Sequence, residues 1–155
     1  MPFCNINQGN ATMATLHEQV ALVTGGSRGV GRGVAVGLAN AGMRVFATGR
    51  SIAHAELGPD ITSMACDHTD DRAVAELFRH IERSAGRLDV LVNVAWGGYE
   101  RMVEDGKFTF IAPFWEQPVW RWDAMMTAGV RAAFVASQLA ARMMVPARRG
   151  LIVNI

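Results

Sequence analysis

The sequence has few of the features that mark secreted, membrane or nucleic-acid-binding proteins. It contains two cysteines, Cys4 and Cys66, and no C-x-x-C pair, which favours a reduced, cytoplasmic setting over a disulfide framework. The formal net charge is +1, so no charge bias attracts nucleic acid or an anionic membrane. Every apolar run is shorter than the roughly 18 residues that span a bilayer, and the polar N-terminus lacks a signal-peptide core. We therefore expect neither nucleic acid nor a membrane as partner.

Side chains that could transfer protons or hold a metal are also sparse. The chain has a single tyrosine, Tyr99, and a single lysine, Lys107, eight positions apart. The histidines are scattered without metal-ligand spacing, at His17, His54, His68 and His80. The sequence therefore predicts no metal site.

What the chain does have is the size and composition of one globular domain. Half of its 155 residues are apolar and 19% are charged, as in ordinary globular proteins. We expect residues 1–16 to form a flexible leader and residues 17–155 to form a single domain.

A glycine-rich turn, T-G-G-S-R-G-V-G, follows the apolar run Val20–Val23 and opens a helix. Glycine permits positive φ and a close approach of the backbone to a ligand, and the free N–H groups at a helix start attract phosphate. The turn thus predicts a site for the pyrophosphate of a dinucleotide. The residues predicted to form it are Gly25, Ser27, Arg28, Gly29, Val30 and Gly31.

The end of the second predicted strand, Arg44–Thr48, carries information about the cofactor. An acidic residue at this place binds the ribose 2′-hydroxyl in NAD enzymes, but here Gly49 and Arg50 follow the strand. With Arg28 in the glycine turn, two guanidinium groups could pair with a 2′-phosphate, which favours NADP over NAD. Alternatively, Arg50 is a solvated arginine without a role in binding. The missing carboxylate also argues against a methyltransferase.

The remaining chain alternates strands and helices. Three further strands are predicted at Ile61–Ala65, Leu88–Asn93 and Gly150–Ile155, separated by helices with apolar stripes, the last running from Trp122 to Val145-Pro146. Alternation of this kind predicts a Rossmann-like, doubly wound parallel sheet with strand order 3-2-1-4-5 and a ligand between strands 1 and 4. The aromatic-rich segment 98–119 is either part of a substrate pocket or a flap over the core.

Two motifs together resemble the short-chain dehydrogenase/reductase family. They are the T-G-x-x-x-G-x-G turn and D-V-L-V-N-V-A-W-G-G on the fourth strand, where members typically have D-x-L-V-N-N-A-G. Residues 17–155 resemble the N-terminal half to two-thirds of a family member. Several stretches of the sequence resemble one animal branch of the family more than the others. The resemblance implies an NAD(P)-dependent oxidoreductase. It also implies that Asp67 contacts adenine and that Asn93 and Ala95 lie near the cofactor.

The chain departs from this family at several positions. Val94 and Trp96 replace an Asn and a Gly of the motif, and Gly129 stands where most members have a helix Asn that supports a proton relay. Asp67 could instead cap the helix that follows it.

The family's catalytic Ser and Y-x-x-x-K motif cannot be matched. Val103, not lysine, follows Tyr99 by four residues, and the Ser would come after Ile155. We therefore expect a chain truncated after the fifth strand that is inactive alone and belongs to an oxidoreductase acting on a small carbonyl or alcohol compound, homo-oligomeric at full length. The alternative is a non-catalytic dinucleotide-binding or interaction protein.

Overall fold

A computed structural model of the chain describes residues 16–99 and 101–155. The predicted leader, residues 1–16, therefore lies outside the described residues except for Leu16. The strands are β1 (Val20–Thr24), β2 (Arg44–Gly49), β3 (Ile61–Ala65), β4 (Val90–Asn93), β5 (Val103–Glu104), β6 (Lys107–Phe108) and β7 (Leu151–Asn154). The helices are α1 (Gly29–Asn40), α2 (Asp71–Ala85), α3 (Val119–Met125) and α4 (Ala132–Ala147), and the π-helical turn Met126–Arg131 joins the last two.

Five of the strands form one parallel sheet in the order β3-β2-β1-β4-β7. This confirms the predicted order, since β7 is the fifth strand of the sheet along the chain. In the central register, Leu22 of β1 pairs with Phe46 on one side and Leu91 on the other. The carboxyl ends of all five strands consequently meet at one edge.

Helices cover the sheet on both faces, as the apolar character of its strands requires. Leu22, Phe46 and Leu91 pack on the face covered by α2 and α4. Their neighbours in the chain point to the opposite face, where Val23 and Val45 pack against residues of α1. The apolar stripe predicted for the second helix is buried, at Val74, Leu77, Phe78 and Ile81. Within the described residues, no helix combines the length and apolar character needed to cross a membrane.

The long helix predicted from Trp122 to Pro146 differs from the observed one. It starts earlier, at Val119, is interrupted by the π-helical turn, and keeps Pro146 inside its last turn. The chain leaves the helix only at Arg148, whose φ of +52° is left-handed. A proline in a last turn is compatible with this ending, because few helical residues remain beyond it.

One buried arginine holds the aromatic-rich segment against α3. Arg121 donates to the carbonyl oxygens of Arg101 and Thr109, each at 3.2 Å, and to the side-chain oxygens of Thr109 and Gln117. Its guanidinium also lies 5.8 Å from the ring centre of Phe110. Arg121 thus connects the segment 101–117, with the β5–β6 hairpin, to α3.

Candidate dinucleotide-binding site

A cavity of about 920 Å³ opens at the carboxyl edge of the sheet. Residues that follow β1, β2, β3 and β4 line it, as expected for a ligand site at the topological switch point. Of the predicted cofactor-binding residues, those in the lining are Gly25, Ser27, Arg28, Gly29, Val30, Arg50, Asp67 and Ala95. Gly31 and Asn93 lie outside it.

The glycine turn packs directly on the end of β4. Gly25 has φ +69°, and a Cβ atom built on it would lie 2.7 Å from the amide nitrogen of Ala95. Gly31 is buried in the first turn of α1 and packs against the Gly25 carbonyl, so closely that a Cβ atom on Gly31 would collide with the carbonyl oxygen. The first residues of α1, Gly29 and Val30, line the cavity, so the helix start opens into it without an acidic side chain in its first turn. Such a helix start suits an anion.

Thr24 and Asn93 hold the neighbouring strand ends in place. The Thr24 hydroxyl oxygen accepts hydrogen bonds from the amides of Val94, at 3.1 Å, and Ala95, at 3.2 Å. The Asn93 side-chain nitrogen donates to the side-chain oxygens of Asn154, at 2.9 Å, and Ser137, at 3.2 Å. Asn93 therefore ties β4 to β7 and α4, beneath the residues that line the cavity.

The end of β2 has no acidic side chain and lies beside positive charge. The hydroxyl of Ser27 lies against Gly49, where a Cβ atom would collide with it. A carboxylate at position 49 would have to displace Ser27 first. Arg28 and Arg50 directly follow these two residues in the chain, and both are exposed and line the cavity. Their two cationic groups give this end of the cavity the character of a phosphate site.

Asp67 faces the cavity and does not cap α2. One of its carboxylate oxygens accepts from the Thr69 amide, at 2.9 Å, and the Thr69 hydroxyl, at 2.7 Å. These hydrogen bonds, and the charge of Arg50, lower the pKa of the Asp67 carboxyl below its usual range. The cap of α2 is Asp70, which accepts from the Arg72 amide at 2.8 Å. The alternative of Asp67 as the helix cap is therefore wrong.

The sequence did not indicate that His68 belongs to this cavity. The side chain is 94% buried, and its Nε2 atom lies 2.8 Å from the Thr48 hydroxyl, whereas Nδ1 has no hydrogen-bond partner among the described residues. Burial lowers the pKa of His68 to about 4 and, with the charges of Asp67 and Asp70, raises that of Cys66 to about 11. Both residues are therefore uncharged at neutral pH. The chain after β3 alternates between buried and exposed side chains, since Cys66 and His68 are buried and Asp67 is exposed. This alternation is the sequence signal that could have identified His68 as a buried residue.

Burial of neutral His68 makes folding sensitive to mild acid. Its ordinary pKa of 6.5 applies to the unfolded chain, which binds a proton below that pH while the folded protein resists protonation down to about pH 4. The free energy of unfolding should therefore fall between pH 6.5 and 4, by up to about 3 kcal/mol from this residue. Urea unfolding across this range should show a shallower fall for His68→Gln than for the wild type. A His54→Gln control should follow the wild type, and identical profiles for all three proteins would contradict the prediction.

Two of the departures from the family pattern lie in contact with each other. The Trp96 ring covers Gly129, such that a Cβ atom on Gly129 would come within 2.5 Å of the ring atoms Cε3 and Cζ3. Trp96 itself lines the cavity, together with Ala128 from the same π-helical turn. The indole thus takes the space that a side chain at position 129 would need.

The aromatic-rich segment contributes its first residue to the cavity. Tyr99 is in the lining, with its ring centre 6.1 Å from that of Phe110. Lys107 is exposed on β6 and is not in the lining. Farther along, Ile111 and Phe114 point outward, 77% and 83% exposed, so this part does not cover the core. Among the described residues, no three His, Cys, Asp or Glu side chains are grouped as metal ligands.

Comparison with known proteins agrees with this geometry. The family model for short chain dehydrogenases matches residues 19–155. Human dehydrogenase/reductase SDR family member 1 is 39% identical over 151 residues, covering 92% of this chain and 47% of the relative. Gluconate 5-dehydrogenase of Gluconobacter oxydans is 38% identical over 143 residues, covering 87% of this chain and 52% of the enzyme. The chain spans about half the length of the curated relatives it matches.

Solved structures give the same result. The crystal structure of a metagenomic short-chain oxidoreductase in complex with NADP superposes with a TM-score of 0.72 at 32% identity, covering 91% of this chain and 63% of that protein. A short-chain alcohol dehydrogenase from Sinorhizobium meliloti superposes with a TM-score of 0.70 at 33% identity, covering 89% of this chain and 54% of that protein. From its sheet order, its glycine turn and these matches together, the chain belongs to the short-chain dehydrogenase family of oxidoreductases.

Proposed function

We propose that this chain is the cofactor-binding part of an NADP-preferring oxidoreductase that acts on a small carbonyl or alcohol compound. The observation that carries the NADP preference is the pair of guanidinium groups, Arg28 and Arg50, that line the cavity near the end of β2, where Gly49 stands in place of an acidic residue. The relative whose crystal structure contains NADP supports this choice.

The residues present fit such a cofactor in three places along the cavity. The close packing of Gly25 and Gly31 allows the backbone of the turn and the start of α1 to approach a pyrophosphate. Arg28 and Arg50 would hold the 2′-phosphate, and the Asp67 carboxylate, kept ionised by its lowered pKa, would accept from the adenine amino group. When bound, the cofactor supplies or accepts the hydride.

The described residues provide binding and orientation but no assembled proton relay. Tyr99 is the only tyrosine, and the only lysine, Lys107, lies outside the cavity lining. Proton transfer from a tyrosine phenol at neutral pH requires a cation close by that stabilises the phenolate. The 155-residue chain by itself should therefore bind the dinucleotide without turnover.

Calorimetric titration of the purified protein with NADPH and NADH tests the proposal. NADPH should bind at least about tenfold more tightly, because the second phosphate adds charge-assisted hydrogen bonds. Equal affinities for the two nucleotides would contradict the NADP preference, and failure to bind either nucleotide would contradict the cofactor-binding role. Protein expressed from the complete native gene should also oxidise NADPH in the presence of a carbonyl substrate. Binding without turnover in that protein would instead favour the non-catalytic alternative.

A further inference from the structure

The indole of Trp96 stands at the end of the cavity opposite to the two arginines. Arg50 follows β2 and Trp96 follows β4, with the glycine turn after β1 between them in the sheet. A dinucleotide whose 2′-phosphate lies at Arg50 and whose pyrophosphate lies on the glycine turn would extend its other half toward β4. That half carries the nicotinamide, so Trp96 lines the end of the cavity that the reactive ring would enter.

The position of this indole is set by the backbone of the helix beneath it. Gly97, the next residue, is pressed so closely on the same helix that a Cβ atom there would lie 2.5 Å from the carbonyl oxygen of Ala124 and 2.9 Å from Cβ of Ala128. The ring itself rests on Gly129. With the backbone of residues 96 and 97 held against the helix, an indole displaced from Gly129 has to move away from the helix, and the cavity that it lines is the open space beside it.

Gly129 lies within the π-helical turn Met126–Arg131. Such turns insert an extra residue into a helix and are frequent at functional sites. The insertion places a residue without a side chain under the ring, and Ala128, its neighbour in the turn, lines the cavity beside Trp96. The turn and the indole therefore form one continuous wall.

We infer that Trp96 and Gly129 act as a pair that sets the width of the cavity at its nicotinamide end. Trp96 contacts the ring-bearing half of the dinucleotide, and Gly129 is a positioning residue that keeps the indole out of that space. The inference rests on the proposed function only in that NADPH is the ligand. Any side chain at position 129 pushes the indole into the cavity and narrows the nicotinamide end, while the end at Arg28 and Arg50 stays as it is.

Two ligands separate the two ends of the cavity. NADPH occupies both, whereas adenosine 2′,5′-bisphosphate has the 2′-phosphate and adenine but no nicotinamide. The variant Gly129→Ala should bind NADPH about tenfold more weakly than the wild type, as an overpacked contact predicts, and should bind the bisphosphate with an affinity within about twofold of it. The double variant Trp96→Ala/Gly129→Ala should bind NADPH as Trp96→Ala alone does, because the collision is gone.

Thermal unfolding of the same variants controls for general damage. Alanine favours helix over glycine, so Gly129→Ala should lower the melting temperature in the wild type and leave it equal or higher in the Trp96→Ala background. Equal weakening of both ligands, or an NADPH loss that persists without the indole, would overturn the inference. If the wild type bound neither ligand, the proposed function would fail, and the melting temperatures would still decide whether the two residues act as a pair.

Discussion

Replacing Arg50 with alanine is expected to weaken NADPH binding by about ten- to hundredfold while changing NADH binding by less than about threefold. A hydrogen bond to a charged group contributes about 1.5–3 kcal/mol, and NADH lacks the phosphate that would receive it. Arg28→Ala should act in the same direction, since Arg28 lines the same cavity. Titration calorimetry with both nucleotides measures the effect.

The matched control for this experiment is Arg83→Ala. Arg83 lies exposed in the last turn of α2 and does not line the cavity, so its removal changes net charge by the same amount without touching the site. It should leave both affinities unchanged at moderate salt, where distant exposed charges are screened. If Arg50→Ala weakened NADPH and NADH alike, Arg50 would have a role other than 2′-phosphate recognition.

Gly25→Ala is expected to abolish nucleotide binding and to lower the free energy of unfolding by about 2–4 kcal/mol. The new Cβ atom would lie 2.7 Å from the Ala95 amide nitrogen, and the residue would have to keep a φ of +69°. Relief requires the glycine turn to move away from β4, which dismantles the cavity wall. Urea unfolding and NADPH titration report the two effects separately.

The control for Gly25→Ala is Gly33→Ala on α1. A Cβ atom at Gly33 would meet nothing within 4 Å, and its φ is not in the left-handed region. Alanine there should stabilise the protein by about 0.5–1 kcal/mol and leave NADPH affinity unchanged. Equal damage from the two substitutions would show that the close contact at Gly25 is not what the turn depends on.

The parts of the fold that the sequence predicted are those set by local patterns. Strand order followed from the alternation of apolar runs with helical stripes, such as the one from Val74 to Ile81, and the glycine turn followed from the spacing of residues that permit positive φ. Val94 and Trp96 were visible as departures from a motif. That Trp96 compensates for Gly129 was not visible, because the contact joins residues 33 positions apart through a π-helical turn that has no signature in the sequence.

Burial that depends on tertiary packing also escaped prediction. His68 looked like one of four scattered histidines, and the fold shows that it is buried, with its ring against the Thr48 hydroxyl. The end of the last helix was misplaced because Pro146 is normally a stop signal, and here the helix needs only one residue beyond it. Asp67 and Asp70 are both plausible caps by type, and the hydrogen bonds alone assign the cap to Asp70.

Because Arg121 donates to Arg101, Thr109 and Gln117, and Gln117 in turn donates to the Thr109 carbonyl oxygen, the segment 101–117 is held by one connected hydrogen-bond network rather than by independent contacts. The effects of substitutions around it should therefore not add: once Arg121 has lost one acceptor, loss of a second removes less than it would from the intact network. The segment is retained or released as a whole. Substitutions at outward-facing residues of this segment should therefore leave its attachment to α3 intact. A substitution at one residue of the Arg121 network should need compensating substitutions at the others to keep that attachment.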